Sequence, residues 1–265
     1  MYKRQDWIST ADLVALAGDL GIPTAQARTG VTRLKQKGLL LAERRHAVGY
    51  RLNPDAATML ERGDRRIFEM REMTDADSWC LISFSMPESA RATRHQLRRR
   101  LQWIGAGVVS PALWICPGHL QGEVLEIVDD LDASEWVTLF QAGTPTTART
   151  LPEAAADWWD LDALCAEHLE FQSSLETLPA APFAAYVQLI DRWRVLPYID
   201  PGLPPSMLPA DWPGRRSIAE FHRLSTELSD AAWQRVREVT GAEAAGAEAT
   251  GAEATRAQVT GAGRS

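Results

Sequence analysis

Arg28, Thr32 and Lys35 recur at helical spacing, with Thr29, Arg33 and Gln36 beside them. On one helix these side chains form an exposed row of guanidinium, hydroxyl, amide and ammonium groups. Such a row suits duplex DNA, because arginine pairs bidentately with guanine edges while lysine and threonine hold phosphate oxygens. Arg44, Arg45 and His46 follow at a predicted hairpin tip, from which Arg44 and Arg45 would reach neighbouring phosphates. The same residues also fit a plainer reading, a helix with a solvated basic face beside an ordinary hairpin.

The flanking sequence supplies the elements needed to position that row. Ala27, Val31 and Leu34 fall at i, i+4 and i+7 and predict the buried face of the helix, with Thr24 as its cap and Gly38 as its stop. Leu39-Leu40-Leu41 begins a strand, Gly49 is expected to turn the hairpin, and Tyr50-Arg51-Leu52 returns. Upstream, a helix is predicted from Thr10 to Leu20, capped by Ser9 or Thr10, with Leu13, Leu16, Ala17 and Leu20 on its apolar face. Gly21 closes it and Pro23 opens the next helix. Two helices joined by a tight turn and followed by a basic hairpin outline a winged helix over residues 1–55. Two features depart from that outline. A leading helix is missing ahead of Thr10, so the module is truncated at its start or borrows cover from elsewhere. Gly30, inside the second helix, costs about 1 kcal/mol relative to Ala unless close packing requires it.

Charge is distributed to match. Residues 1–53 carry nine Lys/Arg against four Asp/Glu, a net of +5, whereas the whole chain of 265 residues is at −7. A basic module on an acidic body confines phosphate attraction to one surface and repels DNA elsewhere. Hydrophobic content of 45% and charged content of 24% suit a globular protein of two or three domains. No apolar run approaches the roughly 20 residues of a membrane span, and the opening MYKRQDW lacks a signal-peptide core, so the expected compartment is the cytoplasm. Cys80, Cys116 and Cys165 form no CxxC, and the first two lie in strand-like apolar runs as inert core thiols. Nine of the ten tryptophans lie in the acidic body, as core or interface anchors or as walls of a pocket for a flat ligand.

The fold class expected is α+β. Residues 56–75 read as a helical linker interrupted at Gly63. Residues 76–148 alternate: a strand at Trp79–Phe84, a helix from Glu88 to Ile104, strands at Val108-Val109 and Leu113–Cys116, a helix from Leu120 to Leu131, and a strand at Trp136–Phe140. Strand–helix–strand–strand–helix–strand is the ferredoxin-like order. Residues 152–239 are mostly helical, with Trp158, Leu161, Leu164, Cys165, Leu169 and Phe171 marking one helix and Phe183 to Arg194 another, followed by an irregular, largely extended segment with six prolines between Leu196 and Gly214. Residues 240–265 repeat GAEAA and GAEAT and are expected to be a disordered tail.

Catalytic constellations are poorly represented. There is no GxSxG and no HExxH, the first central strand offers Ser83 and Ser85 but no Asp, and Asp75, Asp77, Asp129 and Asp130 read as surface acids. No catalytic residue, cofactor or metal is therefore expected. The competing reading is a metal-dependent nuclease built on the central domain, and a third is a regulator or adaptor that no longer binds DNA.

These segments carry a family resemblance. ADLVALAGDLGI with ARTGVTRLKQKGLL and YRL, then RATRHQLRRRLQWIGAGVVSPALWICP, then WDLDAL and DPGLPPSMLPADWPG together resemble the PaaX-type family of bacterial transcriptional repressors, known for control of phenylacetate degradation. The resemblance implies a winged-helix domain, a ferredoxin-like central domain similar to a small CRISPR-associated nuclease, and a helical C-terminal domain. It also implies a homodimer that releases double-stranded operator DNA when an aryl- or acyl-CoA thioester binds. Arg28 and Arg33 are then the expected principal DNA contacts, assisted by Thr29, Thr32 and Lys35 and by Arg44 and Arg45 of the wing. Arg33 also fits an internal brace. Arg91, Arg94 and Arg98 share one helix face and are candidates to hold the effector's phosphates, a solvated face or a dimer or DNA-flanking surface being the other readings.

Overall fold

The computed structural model describes residues 7–241. The tail repeat, from residue 242 on, lies outside the described residues. In chain order the elements are β1 (Ile8–Ser9), α1 (Thr10–Asp19), α2 (Thr24–Gln36), β2 (Leu40–Arg44), β3 (Val48–Leu52) and α3 (Pro54–Phe68). Next come β4 (Trp79–Phe84), α4 (Arg91–Trp103), β5 (Gly107–Ser110), β6 (Leu113–Pro117), α5 (Gln121–Asp130) and β7 (Val137–Ala142). Helices α6 (Leu151–Trp158), α7 (Leu161–Ser174), α8 (Pro182–Trp193), α9 (Leu196–Ile199) and α10 (Gly214–Thr240) complete the chain. The class is α+β, with small antiparallel sheets.

Of the described residues, one compact unit takes in 7–63, 178–188 and 224–241. Its sheet has the order β1-β3-β2, all antiparallel, with Ile8 opposite Tyr50 and Glu43 opposite Gly49. The apolar set of the N-terminal stretch is small: Leu16, Val31 and Ala56 are buried, while Leu34 is 41% exposed. Leu34 was expected on the buried face. It lies at the margin of a helix whose inner stripe is only Ala27 and Val31 wide. At the far end of α1, Asp19 accepts from Arg235 of α10, Oδ2 from Nε at 2.8 Å and Oδ1 from Nη2 at 3.2 Å. That hydrogen bonding holds the Asp19 carboxyl below its usual range.

The other unit takes in 64–177 and 189–223. Its four-stranded sheet has the order β5-β6-β4-β7, again antiparallel throughout. Both faces of β4 are covered, which is why Trp79 to Ile82 run apolar without alternation. Cys80, Ile82 and Phe84 face α4 and α5, where Leu97, Leu101, Val124 and Val128 close the core. Trp79 and Ile115 face a second cluster with Trp159, Leu161, Leu164, Leu203 and Met207. Cys80 and Cys116 stand directly opposite on β4 and β6, both fully buried. The tryptophans act as anchors: Trp193 stacks on Phe221 at 4.7 Å and 15°, and Trp159 donates its indole N–H to the Gly105 carbonyl at 2.9 Å.

Three local expectations are corrected. Helix α3 passes through Gly63 without a break, a single glycine costing only about 1 kcal/mol inside a helix. The stretch expected as one helix around Leu161 is two, α6 and α7, with Asp160 capping the second through the Ala163 N–H at 3.0 Å. The proline-rich segment is not wholly irregular, since it includes α9 and a turn of 3₁₀ helix at Pro205–Met207. A buried pair fastens it: His168 Nε2 lies 2.8 Å from Asp200 Oδ2, and Asp200 Oδ1 accepts the Gly202 N–H at 2.8 Å.

Candidate nucleic-acid interface

Helix α1 is capped by Ser9, whose hydroxyl accepts the Asp12 N–H at 3.0 Å. Helix α2 begins differently from expectation. Pro23 is its N-cap and makes no side-chain bond, while Thr24 is already helical. Proline fixes the entry angle but has no side-chain acceptor, so the first N–H groups of α2 are left to solvent or a ligand. Gly38, at φ +72°, ends the helix as expected.

Every residue singled out on α2 is exposed: Arg28, Thr29, Thr32, Arg33 and Lys35. Arg28, Arg33 and Lys35 make no ion pair among the described residues, so their charges are presented to solvent. The two threonine hydroxyls donate back along the helix, Thr29 to the Ala25 carbonyl at 2.9 Å and Thr32 to the Arg28 carbonyl at 3.0 Å. Each oxygen keeps its acceptor capacity, and the proton is released at little cost when a phosphate oxygen competes.

The hairpin is organised by two residues that sequence reasoning missed. Glu43 accepts from Arg45 Nε at 2.6 Å and lies 3.3 Å from Arg51 Nε, so one carboxylate neutralises two arginines. Trp7 donates to the Glu43 carbonyl at 3.1 Å, meets His46 edge-on at 4.7 Å, and lies 5.7 Å beneath the Arg45 guanidinium. Arg44 alone of the tip arginines is exposed and without an ion pair among the described residues. Gly49 does not turn the hairpin. It sits within β3, where a Cβ would fall 2.4 Å from the Trp7 ring, so its missing side chain makes room for the indole. The available signal was spacing: Arg45 follows Glu43 by two positions just past the end of β2, near enough for the two side chains to pair.

Arg94, Arg98 and Arg100 of α4 are arranged as braces. Arg94 donates to the Met86 carbonyl at 3.2 Å and to Glu88 at 2.9 Å, and Arg91 is 3.9 Å from the same carboxylate. Arg98 donates to the Pro111 carbonyl at 2.6 Å with its guanidinium over Phe84, and Arg100 pairs with Asp130 at 3.1 Å. The acids weighed for a nuclease are likewise engaged, Asp77 with Thr74 and Arg71 and Asp75 with Ser206. Among the described residues no three His, Cys, Asp or Glu side chains converge to hold a metal, and no helix is long and apolar enough to cross a membrane.

Comparison with known proteins places the chain among relatives. Residues 1–56 match a family model described as PaaX-like protein, residues 72–154 one described as PaaX protein central Cas2-like domain, and residues 151–238 one described as PaaX-like protein C-terminal domain. The chain is 25% identical over 251 residues to the transcriptional repressor PaaX of Escherichia coli strain K12, covering 88% of this chain and 77% of that one. A solved structure of an uncharacterised protein from Mycobacterium tuberculosis is similar in fold, with a TM-score of 0.62 at 23% identity, covering 88% of this chain and 93% of the other. With three successive models of one family matched from residue 1 to residue 238, the chain belongs to the PaaX-like family.

Proposed function

We propose that the chain is a sequence-specific DNA-binding transcriptional regulator, a cytoplasmic repressor acting as a homodimer and released from its operator by an aryl- or acyl-CoA thioester. The observation that carries this reading is the exposed, ion-pair-free set Arg28, Arg33 and Lys35 on α2, reached through a tight turn from α1 and followed by a hairpin with Arg44 at its tip. That arrangement supports a winged helix over residues 1–55, with α2 as the helix that enters the major groove. The strand order β5-β6-β4-β7 with helices between β4 and β5 and between β6 and β7 supports a ferredoxin-like central domain over 76–148, ahead of a helical domain over 152–239. That the E. coli relative is a transcriptional repressor supports the direction of control.

Arg28 carries the principal contact in this reading. Arg28→Ala is expected to weaken binding to DNA from upstream of the chain's own gene by about tenfold or more, and to lower the salt slope by about one. Titration by gel shift at several salt concentrations checks both, and an unchanged affinity at moderate salt removes the contact. For the effector, a thermal-shift screen against acyl- and aryl-CoA thioesters should raise the melting point with one of them. The bracing of Arg94 and Arg98 makes them poor candidates for its phosphates, so Arg94→Ala is expected to leave that shift in place.

A further inference from the structure

Gly30 lies in the interior of α2, on ordinary helical backbone, and a Cβ added to it would meet nothing within 4 Å among the described residues. Packing within the chain gives no reason for a glycine there, and an alanine would make the helix more stable. The position has a context, however. Gln26, Gly30, Arg33 and Lys37 stand at i, i+4, i+7 and i+11, which makes one ridge along the helix, and all four are exposed. In that ridge the glycine is a notch, with an amide on one side and two cations on the other.

We infer that the notch at Gly30 seats the sugar-phosphate backbone of duplex DNA, with Gln26 and Arg33 donating to phosphate oxygens on either side. This rests on the regulator reading above, and adds to it a contact ridge that the row Arg28, Thr32 and Lys35 does not include. A bare Cα lets a strand approach the helix more closely than any side chain permits, and the two flanking donors then lie at phosphate range. The cost in helix stability is offset only in the complex, so the trade is visible only when binding and folding are measured separately.

Gly30→Ala therefore has two opposite signatures. Its melting temperature rises by about 2–4 °C, while its affinity for duplex fragments from upstream of its own gene, read by fluorescence anisotropy, falls by about tenfold. Gly30→Gln, which fills the notch, binds more weakly still. Gly18→Ala is the matched control: Gly18 is exposed in α1 with nothing within 4 Å of a built Cβ, so it gains stability and keeps its binding. Wild-type affinity in Gly30→Ala overturns the notch and leaves the regulator reading standing, as does an equal loss in the Gly18 and Gly30 variants. Wild-type protein that retains none of the fragments overturns the regulator reading, and the notch with it.

Discussion

Arg66 illustrates how one side chain organises residues distant in sequence. Its guanidinium, only 10% exposed, donates to the Pro197 carbonyl at 2.8 Å, the Ile104 carbonyl at 2.9 Å and Glu123 at 2.5 Å, and lies 5.2 Å over the Tyr198 ring. Replacing it leaves three carbonyls, those of Ile104, Pro197 and Tyr198, and a carboxylate without their shared donor. Arg66→Met is expected to cost about 2–4 kcal/mol, measured as a lower urea midpoint with an unchanged slope; a loss within the error of the midpoint rejects the role. Nothing local marks Arg66, because its hydrogen-bond partners stand 38 to 132 positions away. The candidate interface was legible to a similar, partial degree. Its basic row follows from helical period alone, so exposure of Arg28, Arg33 and Lys35 needed no tertiary knowledge. That Glu43 occupies Arg45 and Arg51, leaving Arg44, depends on hairpin register and on Trp7 lying across Gly49, neither of which a short window contains.

Among the helices, α6 shows how a terminus is set by a few polar groups. Glu153 accepts from the Thr150 hydroxyl at 2.7 Å and from the Thr150 N–H at 2.9 Å, closing a capping box at the first turn. The hydroxyl bond, then the backbone bond, hold the Glu153 carboxyl below its ordinary value of 4.5. A carboxyl whose value is depressed on folding binds fewer protons in the folded state than in the unfolded one. Its contribution is therefore complete above 4.5 and lost as pH falls through the depressed folded value. Glu153→Ala should accordingly be less stable than wild type at neutral pH, with the gap between their urea midpoints closing on acidification. A gap independent of pH would mean that the carboxylate is not what caps the helix. Helix α2 makes the contrast: Pro23 sets its start without a side-chain acceptor, so no capping side chain satisfies the first N–H groups.

At the scale of the whole molecule, the N-terminal stretch shares its compact unit with later segments. Its buried apolar set is small, and its compact unit also contains 178–188 and 224–241, with Ala184, Ala185, Tyr186 and Ala232 buried. Late segments of the chain thus belong to the same compact unit as the N-terminal stretch, and the Asp19–Arg235 pair marks one point of attachment. Residues 1–63 made alone are expected to lack a cooperative thermal transition by circular dichroism, whereas the full chain has one; a cooperative melt of that fragment would show the added segments to be dispensable. By itself the sequence determined the alternation of strands and helices in the central region, the apolar faces of α4 and α5, the basic character of α2 and its glycine stop, because each is a matter of period, charge or backbone freedom over a few residues. Only the tertiary structure decided that β4 lies between β6 and β7, that Cys80 faces Cys116, that Arg94, Arg98 and Arg100 of α4 brace their own domain, and that α10 is a single helix of 27 residues. Those outcomes depend on pairing, register and burial between residues far apart in the chain, where many arrangements satisfy the same local pattern and the packing of large side chains selects among them.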